Sequence, residues 1–167
     1  MGANETELEQ LLVFSLADES YGVDISKVSG IERMQEITRV PRTADAVEGV
    51  INLRGRVIPV VDLRKVFCLS LSEETKDTRI VVVDINGRLI GCLVDAVTEV
   101  LRIPADSVEP PSSVISGSES NYLLGIAKLE NRMIILLDLE KVLALDGTMA
   151  GLAEMVAQSA DEEAIAA

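Results

Sequence analysis

The chain has 167 residues, of which 48% are hydrophobic, and its 28 acidic and 15 basic side chains give a formal net charge of −13. This composition indicates a globular protein with a buried core, while the negative charge argues against binding to nucleic-acid phosphates. The chain has no histidine, which excludes serine–histidine and cysteine–histidine catalysis and every histidine-containing metal site.

The first half of the chain is predicted to form short β-strands with few helical turns. Apolar strands at 11–16 and 21–25 flank a polar turn. A short helix is expected at 43–48. A second hairpin turns at Arg54 and Gly55, because glycine tolerates the positive φ of a tight turn.

Two residues mark the end of the second hairpin. Pro59 predicts either an edge strand or a strand whose proline nitrogen points out of the ladder. Asp62 precedes Leu-Arg-Lys-Val and is the predicted N-cap of a short helix. A polar linker over 69–78 follows.

The second half of the chain is predicted to repeat this order. Strands at 80–85 and 88–94 flank an Asn-Gly pair, the strongest short hairpin signal. An exposed loop rich in serine and proline is expected at 104–121. Another hairpin turns at 130–131, and Asp138 is the predicted N-cap of a closing helix.

The two termini and the two cysteines indicate the location of the protein and the state of its thiols. The tail over 1–10 has no basic residue and is unlike a signal peptide, and the apolar runs are too short for a membrane helix. A soluble, cytoplasmic protein without membrane insertion is therefore expected. A helix and a frayed acidic tail are predicted over 146–167. Cys68 and Cys92 are either two buried reduced thiols or a disulfide.

The chain contains an internal repeat. Residues 49–66 align without gaps on 125–142 at an offset of 76, and eight of the eighteen pairs are identical. Residues 11–31 align more weakly on 80–100 at an offset of 69, with ten pairs apolar on both sides. The chain is therefore interpreted as two copies of one small module.

The repeat predicts a mainly β fold of two small five-stranded barrels with short helices. The modules cover about 11–68 and 79–145, within one domain over 11–145. A module of this size cannot cover both faces of an open sheet, so closure into a barrel is favoured. The barrels are expected to share a packed interface, because each alone is marginal in size.

No motif indicates catalysis. The phosphate-binding patterns GxxxxGK[ST] and GxGxxG, the nucleophile pattern GxSxG and the calcium loop DxDxDG do not occur. Adjacent glutamates at 73–74 and 162–163 lie in polar segments, where a solvated surface is the expected role. No catalytic residue, no cofactor and no metal site is predicted.

One stretch of this acidic chain is locally basic. Residues 39–65 carry six bases and three acids, a balance of +3 (6 − 3). Arg54 stands there at a hairpin tip, whereas the repeat places Glu130 at the same position. Arg54 therefore either contacts a partner or is an ordinary solvated turn residue.

The stretch GVINLRGRVIPVVDLRKVF at 49–67 resembles the signature of the CheW-like domain family of bacterial chemotaxis coupling proteins. Residues 11–31, 84–103 and 122–143 resemble the other blocks of that family, so the resemblance covers about 11–145. The same domain occurs in the chemotaxis kinase CheA and in CheV, but the chain has no room for a kinase or receiver segment. The resemblance therefore implies a stand-alone adaptor.

The resemblance also implies an architecture and partners. It implies two five-stranded SH3-like barrels without catalysis, acting as a scaffold between the histidine kinase CheA and the cytoplasmic tips of chemoreceptors. The receptor tips would lie in the groove between the barrels, and the kinase's regulatory domain would pack on a barrel end. The protein would then sit in the cytoplasm at receptor arrays beneath the inner membrane.

Nine candidate binding residues follow from the family motif. The motif places four residues near the receptor-facing groove: Gly49, Asn52, Leu53 and Arg54. It places Val28 and Gly30 near a binding surface. It predicts that three further residues form the apolar lining of the groove: Ile31, Val97 and Val100. For each apolar residue the alternative is an ordinary core position, because most strand valines and isoleucines are buried.

Three other functions remain open at this point. The chain could be a structural, self-associating β module, or a regulatory adaptor of a chemosensory two-component system that does not control motility. It could also be an enzyme whose site consists of carboxylates alone. Self-association without kinase binding would favour the first of these, and a turnover screen would test the last.

Overall fold

The computed structural model describes residues 8–41, 45–67, 69, 73–110 and 123–143. Its strands are β1 (Leu8–Leu16), β2 (Glu19–Asp24), β3 (Val28–Arg33), β4 (Val47–Leu53), β5 (Arg56–Asp62), β6 (Arg79–Ile85), β7 (Arg88–Val94), β8 (Ala96–Pro104), β9 (Val108–Glu109), β10 (Leu123–Leu129) and β11 (Arg132–Leu137). Its helices are α1 (Leu63–Val66) and α2 (Leu139–Leu143), with 3-10 turns at Ile25–Lys27 and Ala105–Ser107. The mainly β fold with short helices is confirmed.

The strands form two sheets that each combine both repeats. The order is β3-β6-β7-β5-β4 in one sheet, here called the first barrel, and β8-β1-β2-β11-β10-β9 in the other, the second barrel. Hairpin β1–β2 of the first repeat thus lies among strands of the second repeat, and hairpin β6–β7 lies among strands of the first. The two copies have exchanged their first hairpins, and the second barrel gains a sixth strand, β9.

The exchange keeps the pairing of the two barrels equivalent. Val60 of β5 is the parallel partner of Gly91 in β7, and the repeat-equivalent residues Leu136 of β11 and Gly22 of β2 are partners in the same way. The strand pairing therefore confirms both offsets of the sequence repeat.

The short helix predicted at 43–48 is wrong in its described part. Ala46 lies in a turn and Val47 begins β4, where it pairs with Val61. Ala46 and Val47 are both buried in the core between the barrels, so tertiary packing outweighs local helix propensity. Residues 42–44 lie outside the described residues.

The loop predicted at 104–121 is wrong over its first part. β8 continues to Pro104, and after the 3-10 turn Ala105–Ser107 the short strand β9 pairs with β10. β9 covers the edge of β10, which would otherwise expose unpaired backbone groups. Residues 111–122 lie outside the described residues.

Pro59 does not lie in an edge strand, because β5 has neighbours on both sides. Val50, opposite Pro59 in β4, makes both of its backbone hydrogen bonds to Thr38, each at 2.8 Å. Pairing of β5 with β7 begins only at Val60. Pro59 therefore occupies a point of the ladder that requires no N–H, which agrees with the second alternative drawn from the sequence.

The two predicted helix caps are confirmed. The Asp62 carboxylate accepts a hydrogen bond from the Arg64 backbone N–H at 2.9 Å. Asp138 accepts more weakly from the Lys141 N–H at 3.4 Å. Each cap satisfies a backbone donor at the first turn of a helix that follows the last strand of its repeat.

Buried side chains form three clusters, one inside each barrel and the largest between them. In β1, Leu11 and Val13 point into the second barrel, whereas Leu12 and Phe14 point toward the first. Because strand side chains alternate, each barrel buries one face internally and turns its other face to its neighbour. The cluster between the barrels also includes residues of both helices, among them Leu63, Val66, Leu139, Val142 and Leu143. The predicted shared interface is thus the main core.

Cys92 lies in this shared core as a free thiol with 1% of its surface exposed. Burial raises its pKa to about 12, since an apolar environment disfavours the thiolate. Cys68, the tail over 1–7 and the segment over 146–167 lie outside the described residues.

Candidate docking surfaces

Ile31 and Val100 are exposed apolar residues at repeat-equivalent positions. Ile31 lies on β3 with 42% of its surface exposed, and Val100 lies on β8 with 51% exposed. Ile31 pairs with Val81 and Val100 with Leu12, two residues of the shared core. β3 and β8 are terminal strands of their sheets. For these two residues the core alternative is wrong, and both border the junction of the barrels.

Val28 and Val97 occupy a second equivalent pair of positions on the same two strands. Both are half-buried and pack against the shared core. Gly30 follows on β3, and a Cβ built there would come no closer than 3.6 Å to another atom, the Glu32 carboxylate. This part of β3 therefore has room for a contact from outside.

Arg54 stands at the tip of the β4–β5 hairpin with 81% of its side chain exposed. Its φ of 52° is left-handed, and the Asn52 side chain accepts a hydrogen bond from the Gly55 N–H at 2.9 Å. Asn52 thus has a structural role in this turn. Leu53 is half-buried and packs on the core inside the first barrel.

An ion pair joins the Arg54 tip to β3. Arg54 Nη2 lies 3.8 Å from Glu32 Oε2. Since β3 and β4 are the two ends of the same sheet, the pair bridges the opening of the first barrel. In the second barrel an ion pair between Arg132 and Glu99 joins β11 to β8, the end strand of its sheet. Glu32 was not singled out from the sequence, because no motif there connects it to Arg54.

Gly49 has a structural explanation. It is buried, its φ is 149°, and a Cβ built there would lie 2.1 Å from the Thr38 carbonyl oxygen. Gly125, its equivalent, has a φ of 158° and would place a Cβ 2.6 Å from the Glu109 carbonyl oxygen. Both glycines let a crossing segment approach the strand closely. Gly49 is therefore required by this packing and offers no side chain to a partner.

The structure gathers most of the predicted residues into two groups. Val28, Gly30 and Ile31 lie along β3, and the Glu32–Arg54 pair brings the hairpin tip beside them. The second group, Val97 and Val100, lies along β8 of the other barrel. The first group combines exposed apolar surface with a cation, the composition of a protein-binding surface.

A buried ionic network was missed from the sequence. Arg64 is 8% exposed and Asp62 2% exposed. The Arg64 guanidinium donates to both Asp62 oxygens, at 3.1 and 3.0 Å, and to Asp95 at 3.0 Å. Asp95 also accepts from the Ala17 N–H at 2.8 Å, so the network ties the two barrels together. The hydrogen bond from Arg64 to Asp62 is the main cause of the raised pKa of Arg64.

The described residues show neither a metal site nor a membrane-spanning helix. Within them no group of three or more cysteines or carboxylates is placed to hold a metal ion. None of the helices in that part of the chain is long and apolar enough to cross a membrane.

Comparisons with known proteins agree with this architecture. The family model described as the CheW-like domain matches residues 10–146. The chain is 37% identical over 142 residues to the chemotaxis protein CheW of Klebsiella aerogenes, covering 85% of this chain and 86% of that protein. It is 33% identical over 135 residues to CheW of Bacillus subtilis, covering 81% and 86%.

A solved structure is similar as well. The crystal structure of the scaffolding protein TtCheW from Thermoanaerobacter tengcongensis matches with a TM-score of 0.76 and 41% sequence identity, covering 84% of this chain and 91% of that one. The matches extend across both barrels and both repeats. The chain belongs to the CheW-like domain family.

Proposed function

We propose that this protein is a chemotaxis adaptor that couples chemoreceptors to a histidine kinase and catalyses no reaction itself. The observation that carries the proposal is the apolar surface at Ile31 on the open edge of β3, beside the Arg54–Glu32 pair. The relatives named as the chemotaxis protein CheW support the chemotaxis role, and the similar structure from Thermoanaerobacter, described as a scaffolding protein, supports the adaptor role.

The proposed receptor contact is a helix packed on the β3 surface. An amphipathic helix buries its apolar stripe in a groove, where exposed side chains such as Ile31 become covered. Arg54 would add charge complementarity to an acidic residue of the receptor tip, which favours orientation and association rate. Val97 and Val100 would extend the contact onto the second barrel.

The proposed kinase contact is an end of a barrel, where the regulatory domain of the kinase would pack. Two partners then dock on separate faces of one rigid body, because the shared core holds the barrels together. The protein would work in the cytoplasm at receptor arrays beneath the inner membrane. This location follows from the proposed partners.

Replacing Arg54 by Glu tests the receptor contact. The substitution places a second carboxylate beside Glu32, but the side chain at position 54 is 81% exposed, so a change in unfolding free energy of about 0.5 kcal/mol or less is expected. Binding should weaken by about 1–3 kcal/mol, because repulsion replaces attraction at a contact. Thermal melting and titration of a receptor cytoplasmic fragment measure the two effects.

The matched control is Glu130→Arg at the equivalent turn of the second repeat. It should leave receptor affinity unchanged. If Arg54→Glu melts normally and binds the fragment as tightly as the wild type, Arg54 is a solvated turn residue and does not contact the receptor. A double variant Glu32→Arg/Arg54→Glu, which restores the ion pair, separates loss of the pair from loss of the contact.

Replacing Ile31 by Asp tests the apolar part of the surface. Ile31 is already 42% exposed, so folding should be retained, whereas a charge buried under a partner helix should reduce binding at least tenfold. Met133→Asp is the control, since Met133 is 61% exposed on the other barrel. Equal binding by the two variants would contradict a receptor contact at β3.

The alternative functions predict different results. Transfer of labelled phosphate from a kinase onto this chain, or turnover by the isolated protein, would favour an enzyme or phosphoacceptor. Self-association without binding of kinase or receptor fragments would favour a structural module. A pull-down with both fragments of the same organism distinguishes these outcomes from an adaptor.

A further inference from the structure

A pocket opens where α2 begins, against the shared-core residues Val23, Ile85, Leu137 and Leu139. Its volume is about 270 Å³. Its polar lining consists of Asp24, Lys27, Asn86, Asp138 and Glu140, and its apolar lining includes the exposed Leu124. We call it the acidic pocket, because three carboxylates face one ammonium group there.

The acidic pocket is the repeat equivalent of the place that Arg64 fills. At the offsets of 76 and 69, Asp138 corresponds to Asp62, Glu140 to Arg64, and Asn86 to Ala17. The strand pairing confirms both offsets, so the two places are related by the same approximate symmetry as the barrels. The same site therefore occurs once in each repeat: Arg64 fills it in the first repeat, and the acidic pocket lies in its place in the second.

In the first copy the site is closed by the chain's own arginine. Both oxygens of Asp62 accept from the guanidinium, and Asp95 accepts a further bond. The site is nearly inaccessible to solvent, since Arg64 is 8% exposed. A paired, planar arrangement of this kind is the strongest way in which a carboxylate holds arginine.

In the second copy the arginine is replaced by an acid and the cavity stays open. Glu140 accepts a hydrogen bond from the Asn86 side chain at 3.1 Å, and Asp24 accepts from the Ser26 N–H at 2.9 Å. None of the three carboxylates forms an ion pair with another described residue. The counterpart of Asp62 is thus present without the cation that Asp62 binds.

The size and lining of the pocket suit an arginine side chain. A cavity of about 150 Å³ accommodates a benzene ring, and the acidic pocket is larger. A guanidinium can lie on Asp138 and Glu140 while its methylene stem rests on apolar lining, as arginine stems do elsewhere. Leu124, 53% exposed at the rim, offers a contact for an apolar neighbour of that arginine.

We infer that the acidic pocket binds an arginine side chain presented by a partner protein, in the manner in which the first repeat holds Arg64. The segments 111–122 and 144–167, which precede β10 and follow α2 in the sequence, contain no lysine or arginine and so offer no donor of this kind. The pocket lies outside the β3 surface, so the inference does not depend on receptor binding there.

The probe for this inference is N-acetyl-arginine-N-methylamide, titrated into the full-length isotope-labelled protein and followed by backbone amide chemical shifts. The amides of Asn86, Leu124 and Lys141 should move with saturation, with a dissociation constant of roughly millimolar, as expected for so small a ligand. The citrulline and lysine analogues should bind at least tenfold more weakly, since one lacks the charge and the other lacks the planar fork.

Two variants decide the outcome. Glu140→Arg recreates the first-repeat arrangement, so it should abolish probe binding without lowering the melting temperature. Asp138→Asn/Glu140→Gln should weaken binding at least tenfold, while Glu73→Gln/Glu74→Gln, which neutralises two exposed glutamates elsewhere, should not. The inference is overturned if shifts fail to saturate, if the three analogues bind equally, or if Glu140→Arg binds the probe like the wild type.

Discussion

Replacement of Arg64 by Leu should destabilise the fold strongly. Arg64 and Asp62 are 8% and 2% exposed, and three side-chain hydrogen bonds of 3.0–3.1 Å hold the guanidinium to Asp62 and Asp95. Leucine fills much of the space but leaves the Asp62 carboxylate buried without its cation. Removing one partner of a buried ion pair costs about 3–5 kcal/mol, mostly through the charge left behind.

This magnitude is a large fraction of the stability of a domain, which is about 5–15 kcal/mol. For a chain of this length each kcal/mol shifts the melting temperature by about 2–4 °C, so a fall of about 10 °C is expected. Urea unfolding gives the free energy, and thermal melting by circular dichroism gives the shift. Glu140→Leu, at the equivalent but exposed position, is the control and should change stability by about 0.5 kcal/mol or less.

A double variant tests the cause of the loss. Arg64→Leu/Asp62→Asn removes the uncompensated charge and keeps an oxygen for the helix cap, so it should recover about 1 kcal/mol or more relative to Arg64→Leu. The reasoning is refuted if Arg64→Leu costs less than about 1 kcal/mol, or if adding Asp62→Asn destabilises the protein further. Either result would mean that Asp62 stays solvated when Arg64 is absent.

Three further predictions concern glycine packing and the buried thiol. Gly49→Ala should lower the free energy of unfolding by at least about 2 kcal/mol, because the new Cβ would lie 2.1 Å from the Thr38 carbonyl oxygen. Gly30→Ala is the control and should have little effect. Equal melting temperatures of the two variants would contradict the close approach at Gly49. In a Cys68→Ser background, Cys92 should react with a thiol reagent only on unfolding, and rapid reaction of the native protein would disprove its burial. Because burial raises the pKa of Cys92 to about 12, the contribution of this thiol to stability should be intact below pH 9 and should decline between pH 9 and 12. Cys92→Ala should remove this decline of the unfolding free energy with pH. If the decline is unchanged in Cys92→Ala, the thiol is not its source.

Local features of the fold were predictable from the sequence. The hairpin at Asn86 and Gly87, the caps at Asp62 and Asp138, and the repeat itself depend on residues close together in the chain. Turn backbone angles and helix caps are decided within four or five residues. The helix expected at 43–48 failed for the opposite reason, since Val47 is held in β4 by a partner fourteen residues away.

The candidate site was predictable in part. The contrast between Arg54 and Glu130 singled out the exposed hairpin tip, and family resemblance pointed to β3. The sequence alone does not distinguish exposed apolar residues such as Ile31 from packed ones such as Val28. Side chains alternate in the same way in a strand at the edge of a sheet and in a strand at its centre. Only the structure shows that β3 ends its sheet, and that along this strand Ile31 is exposed while Val28 packs on the core.

The amino-acid sequence specified two equivalent modules, but the partner of each hairpin was decided by tertiary structure. A duplicated chain offers hairpin β1–β2 two sheets of nearly the same register, and the continuous apolar run from Leu11 to Phe14 suits both. The exchange is seen in the long-range pairing of β2 with β11 and of β5 with β7, and in the pairing of β1 with β8 and of β3 with β6. The same exchange brings Asp95 to Arg64, a contact between residues 31 apart in the chain. The equivalent place beside Asp138 is open because Glu140 stands there instead of an arginine, but only the tertiary structure shows that this difference leaves a pocket.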